Sequence, residues 1–159
     1  MSKEEDTKAR DRALALSNIK QFFETLSPKS LEHIASISAA EAHFKDPFHS
    51  VQGLKAIRGV FEHMFNIQPH SRFVVLGVTQ SQQAADHTKE PDQYCLRWEY
   101  RLEIGGKPAS IEGCSWLSLD DDGKIIAHRD YWDAAEELYE KITAFAWLMR
   151  WLRRKIVSG

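Results

Sequence analysis

The rhythm of apolar and polar positions changes once along this chain, near Pro69. Before that point the period is helical. Residues 9–26 carry Leu16, Ile19, Phe23 and Leu26 at spacings of three and four, with Lys20, Gln21 and Glu24 turned away, which predicts an amphipathic helix. Ser27 and Pro28 stop it and open a second helix, with Ser27 as N-cap and Pro28 at the first helical position, running to about Ser38. "EAHFKDPFHSVQG" (41–53) has the Pro and Gly of a turn-rich connection. Leu54, Ile57, Phe61, Met64 and Phe65 predict a third helix that ends before Pro69.

Beyond Pro69 the pattern alternates. "RFVVLGVTQ" (72–80), "QYCLRWEYRLEI" (93–104), "ASIEGCSWLSL" (109–119) and "KIIAHRDYW" (124–132) predict four strands. "GGKP" and "DDDG" supply the last two hairpin turns, and residues 82–92 form the loosest loop. A long helix is expected from about Ala134 to Ile156. Helices followed by an antiparallel meander make an α+β domain, with the helices on one face of a curved sheet.

Composition narrows the class. With 159 residues, 43% hydrophobic and 28% charged, the chain can build one core without disulfide staples. Cys95 and Cys114 lie outside any Cys-x-x-Cys spacing, which suits a reducing compartment. The charged N-terminus has no apolar stretch of a secretory signal, and no run approaches the ~20 apolar residues that span a bilayer. The expected location is cytoplasmic. Net charge is −2, but Lys141, Arg150, Arg153, Arg154 and Lys155 face no acid within residues 141–159. An acidic body with a basic tail argues against nucleic-acid binding.

The last strand raises the chemical question. By simple alternation Ile126, His128, Asp130 and Trp132 share one face, and Ile125, Ala127, Arg129 and Tyr131 the other. A carboxylate beside an isoleucine and a tryptophan belongs in a pocket, where it must be paired. Its plainest partner is Arg97, in a salt bridge without chemistry. On the second strand Arg97 and Glu99 oppose Tyr94, Leu96, Trp98, Tyr100 and Leu102, so the charges face either water or a pocket. His128 shares a face with Asp130, yet no third ligand at a recognisable spacing completes a metal site. Asp46 before Pro47 suits an Asx turn. Phe22, Phe44, Phe61 and Phe65 suit core or pocket wall.

The element order, "HFKDPFHSVQGLKAIRGVFEHMF" before the sheet and "DDDGKIIAHRDYWD" at its end resemble the nuclear transport factor 2-like superfamily over roughly residues 12–135. Its members include SnoaL-like polyketide cyclases, ketosteroid isomerases and limonene-epoxide hydrolases. The resemblance implies a cone of helices and bent sheet around an apolar pocket, commonly dimeric through the outer sheet face. The closest local match is the hydrolase, whose Arg-x-Asp and later Asp correspond to Arg97, Glu99 and Asp130, with 31 residues between the carboxylates. Carried over, Asp130 is the base, Glu99 the acid and Arg97 the organiser. For that to hold, the aromatic face of the strand must pack elsewhere, as against a second subunit. Glu99 is longer by a methylene, about 1.5 Å, and Phe44-Lys45-Asp46 replaces the hydrolase's water-holding Tyr-x-Asn.

The isomerase comparison places its base at Asp46, but its phenol and acid positions fall near Phe22 or Phe23 and Ser115, which argues against a steroid-type isomerase. Asp46, His128, Trp132, Phe44, Phe22 and Ser115 are the expected ligand contacts. Residues 136–159 stand apart from the domain of residues 1–135, whose first residues are expected to be a charged, disordered tail. Leu138, Ile142, Phe145, Met149, Leu152 and Ile156 make one stripe, while Trp147 and Trp151 fall opposite it beside Arg150 and Arg154. Such a helix suits Trp–Arg stacking, a protein contact or a peripheral membrane contact. The expectation is a homodimeric domain binding a small apolar or lipid-like molecule without a cofactor. Either epoxide-hydrolase- or cyclase-like chemistry with Asp130 as base, or non-catalytic binding and interaction, would use it.

Overall fold

A computed structural model describes residues 3–81 and 91–133. In chain order it contains α1 (Lys3–Glu24), a 3-10 helix (Ser30–Ser36), β1 (Ser38–Lys45), β2 (Ser50–Gln52), α2 (Leu54–Ile67), β3 (Arg72–Gln80), β4 (Asp92–Ile104), β5 (Lys107–Leu119) and β6 (Ile125–Tyr131). The strands form one sheet in the order β2-β1-β6-β5-β4-β3, antiparallel except where β1 runs parallel to β6. The α+β architecture is the one expected.

Several details differ from the sequence reading. The first helix begins at Lys3, inside the charged segment expected to be disordered. The second helix is a short 3-10 element, entered where Ser27 and Ser30 exchange hydrogen bonds between backbone N–H and side-chain oxygen. The connection at 41–53 is mostly strand. Ala42 and Phe44 are buried between exposed Glu41, His43 and Lys45, a period of two, so its Pro and Gly mark turns at the ends of strands. The expected C-terminal helix lies outside the described residues.

The core fills the space between the helices and one face of the sheet. Ile19 and Phe23 of α1, Leu26 just beyond its end, and Ile57, Phe61 and Phe65 of α2 pack over Tyr94, Leu96, Trp98 and Tyr100 of β4 and Leu117 and Leu119 of β5. Arg12 holds the N-terminal half of α1 to the sheet through an ion pair with Asp92 (2.8 Å) and a hydrogen bond to the Asp120 carbonyl. Gly105 and Gly106, both at positive φ (59° and 74°), make the two-residue turn between β4 and β5.

This packing overturns the hydrolase-like placement of β4. Its aromatic face turns inward onto the protomer's own helices, and Arg97 and Glu99 turn outward. The register shows why. Leu96 faces Ser115, which faces Asp130, whereas Arg97 faces Cys114, which faces Tyr131. Residues directly opposite in a ladder share a face, so Asp130 and Arg97 lie on opposite sides of the sheet. Arg97 is exposed, and Glu99 accepts hydrogen bonds from Arg101 at 2.8 and 3.0 Å, which hold its carboxyl below the usual carboxylate range. The expected Arg97–Asp130 pair and Glu99–Asp130 acid–base couple do not form.

Candidate functional site

Two backbone devices aim the side chains of the site. A register shift between Ser118 and Leu119 leaves Ile126 without a partner, so Ile125 (1% exposed) rather than Ile126 shares the inner face with His128 and Asp130. Gly113 is the second device. A β-carbon there would stand 2.4 Å from the Trp98 ring, so the glycine leaves room for the indole over β5.

Laid there, Trp98 donates from Nε1 to Ser115 Oγ at 2.9 Å. Ser115 donates to Asp130 Oδ1 at 2.5 Å. His128 Nε2 lies 2.7 Å from that same Oδ1 and 3.1 Å from Ser115 Oγ. With the proton on Nε2 every donor of this network meets an acceptor. Ser115 (3% exposed) and His128 (6% exposed) are buried, and the His128 ring is gripped edge-on by Phe44 and Phe23, with centroids 4.9 and 5.5 Å away. Both hydrogen bonds to Asp130 fall on Oδ1. Among the described residues none reaches Oδ2.

Asp130 lines a cavity of about 340 Å³ between α2 and the sheet. Its walls are apolar: Phe44, Phe61, Phe73, Trp98, Tyr100 and Ile111 among them. Behind Asp130 a crevice of about 10 Å³ runs between Ser115, His128 and Phe23. The cavity's polar lining comes from Asp130, Asp46, His49, His63 and Gln68. The Tyr100 hydroxyl is buried with no hydrogen-bond partner among the described residues, and burial pushes its ionisation up. Trp132 and the exposed Phe48 meet edge to face, 5.4 Å between centroids.

Of the expected site residues, the fold brings Asp130, Ser115 and His128 into one network and places Asp46, Phe44 and Trp132 in the cavity lining. Phe22 packs against Phe23 in the core and is not among the residues lining this cavity. Arg97 and Glu99 are on the outer face. Asp46 does make its Asx turn, accepting from the backbone N–H of Phe48 (2.8 Å) and His49 (2.5 Å). The same carboxylate holds the His49 ring, with Nδ1 3.0 Å from each oxygen. Sequence reading passed over His49 and His63, whereas its plain reading of β4, charges to water and aromatics to core, is the arrangement found. An Asp-x-x-His run through a turn was the one local signal for His49. No group of three or more His, Cys, Asp or Glu that could hold a metal ion occurs among the described residues.

The model of the family described as "SnoaL-like domain" matches residues 19–128. Solved structures share the fold at low identity. An NTF2-like protein of unknown function from Exiguobacterium sp. 255-15 is 18% identical, with 75% of this chain and 98% of that one covered at a TM-score of 0.61. A protein with a ketosteroid isomerase-like fold from Catenulispora acidiphila, solved with trimethylamine, is 15% identical over 78% of this chain and 88% of that one, TM-score 0.59. A protein assigned as a SnoaL-like polyketide cyclase, from Jannaschia sp. CCS1, is 12% identical over 80% and 88%, TM-score 0.61. No curated protein matches the sequence.

Proposed function

The chain belongs to the SnoaL-like domain family, and from that premise we propose that it binds a small, mainly apolar molecule and catalyses proton transfer on it with Asp130 as the base. One observation carries this reading. Asp130 stands in the wall of a mainly apolar cavity with Oδ1 committed to Ser115 and His128 and Oδ2 without a partner among the described residues. Two donors on one oxygen orient the carboxylate, and the apolar walls exclude competing water. A base needs that combination: a fixed position, a free lone pair and a dry approach.

The volume suits a molecule of one or two rings, at the lower end of small-molecule sites. The epoxide-hydrolase scheme loses its support, because its acid and its organising arginine are on the other side of the sheet. Proton transfer of the isomerase or cyclase kind needs neither.

A generic probe tests the base directly. In the elimination of 5-nitrobenzisoxazole a base removes the ring C–H proton, the electron pair forms a nitrile as the N–O bond breaks, and a coloured phenolate leaves. The wild-type protein is expected to accelerate this reaction over buffer, and Asp130→Asn to lose at least 100-fold of that acceleration while keeping its circular dichroism. A wild type that binds 2-naphthol but is no faster than buffer would make the pocket a binding site without chemistry, and the reading would fall.

A further inference from the structure

We propose that His49, held by Asp46, is a second proton-handling group of this pocket, an acid set against the base Asp130. The inference rests on the reading of Asp130 as base and goes beyond it by naming its partner.

The first observation is the way the ring is held. Asp46 Oδ1 and Oδ2 are each 3.0 Å from His49 Nδ1, and Oδ1 also accepts the backbone N–H groups of Phe48 and His49. The carboxylate is therefore fixed by the turn, and it fixes the tautomer: Nδ1 carries a proton. Among the described residues His49 Nε2 makes no hydrogen bond. That nitrogen is the one able to accept a proton, or to give one when it carries it. His49 is partly exposed (37%) while Asp46 is largely covered (14%), so the ring sits between the cavity and solvent.

The second observation is position. The parallel ladder of β1 and β6 pairs Phe44 with His128 and Lys45 with Arg129. Asp46 is the first residue beyond β1, and Asp130 follows Arg129 on β6, so both stand at the same end of this ladder. Both line the same cavity. One end of an apolar pocket thus carries two carboxylate–histidine pairs with opposite arrangements. In the inner pair the carboxylate presents its free oxygen and the histidine supports it. In the outer pair the carboxylate supports and the histidine presents the free atom. Asp46 is a positioning residue; His49 is the group that meets substrate.

The division of labour follows. Asp130 takes a proton from a carbon next to a carbonyl, and the C–H electron pair moves through the new C=C bond onto the carbonyl oxygen. Protonated His49 gives its Nε2 proton to that oxygen, leaving a neutral enol. Returning one proton from Asp130 to a different carbon and one from the enol oxygen to His49 restores both groups, so the net change is isomerisation without a co-reactant.

Leaving-group dependence separates this from the role of Asp130. The elimination of 5-nitrobenzisoxazole releases a stable phenolate, whereas unsubstituted benzisoxazole releases a poor leaving oxygen that benefits from an acid. His49→Gln is expected to lower the ratio of the unsubstituted to the nitro rate at least tenfold, and Asp46→Asn to move it the same way. Asp130→Asn is expected to abolish both reactions. If His49→Gln and Asp46→Asn leave the ratio at the wild-type value while Asp130→Asn still abolishes both, the inference about His49 is wrong and Asp130 stands. If both reactions survive Asp130→Asn, or the wild type accelerates neither, the base assignment fails and this inference falls with it. Unchanged circular dichroism and melting of His49→Gln, or failing that of Asp46→Asn, qualify the variant for the comparison.

Discussion

Ser115 illustrates how much depends on one hydroxyl. It accepts from the Trp98 indole and donates to Asp130, and it is 3% exposed. Ser115→Ala strands a buried indole N–H and frees half of the grip on Asp130. The unsatisfied donor is worth about 1–3 kcal/mol, which urea unfolding should register as a lower midpoint with an unchanged slope. Cys at the same position, with a weaker donor, should fall between. Tyr100 gives a pH prediction. Burial raises its ionisation above that of the unfolded chain, so the neutral phenol contributes its full share below the unfolded value of about 10 and loses it as pH rises through the folded one. Tyr100→Phe should flatten the fall of melting temperature on the alkaline side; an identical fall in both proteins would show that Tyr100 does not govern it.

At the scale of elements, β4 and β5 arrange both faces of the sheet. On the inner face Trp98 lies over Gly113. Gly113→Ala must displace the indole from Ser115, at a cost of about 1–3 kcal/mol for overpacking, and tryptophan emission should shift with it. On the outer face Cys95 and Cys114, distant in sequence, become diagonal neighbours, since Cys95 faces Trp116 and Cys114 faces Arg97. Burial first and the neighbouring thiol second push the Cys114 thiol up. Its alkylation by iodoacetamide at neutral pH should therefore be slower than that of a free cysteine and should rise steeply toward pH 10, as mass spectrometry of quenched samples can follow. A rate equal to that of glutathione at neutral pH would contradict the shift.

For the whole molecule, the outer sheet face expected to carry a dimer presents different residues. The dimer expected from an outward aromatic face of β4 loses that argument, because Tyr94, Trp98 and Tyr100 are spent on the protomer's own core. We propose that the chain dimerises through the outer face, where Tyr131 is 47% exposed beneath the Arg129 guanidinium, 4.8 Å from the ring centroid. Light scattering of the wild type should give twice the chain mass and Tyr131→Asp a lower value; a monomer at high concentration rejects the proposal. No helix among the described residues is long and apolar enough to cross a membrane. A peripheral contact through residues 141–156 is a separate proposal, tested by salt-sensitive binding to anionic vesicles.

What the sequence by itself determined follows from local physics. Spacing of three and four on α1 and α2, alternation on β4 and β5, and the glycines of the two turns depend only on which side chains repeat on a face, so they were legible without the fold. So was the suspicion about Asp130, since a carboxylate among apolar neighbours on a strand needs a partner wherever the strand goes. The identity of that partner was not legible. Parity along β4 shows that Arg97 and Trp98 point to opposite sides, but not which side holds the helices, because both faces of that strand carry residues that could be covered. Only the pairing of Leu96 with Ser115 and Ser115 with Asp130 decides it, and that register is a property of three strands together. The same holds for His49: its turn is local, but its place beside Asp130 comes from β1 running parallel to β6, a contact between segments some eighty residues apart that no short stretch of sequence encodes.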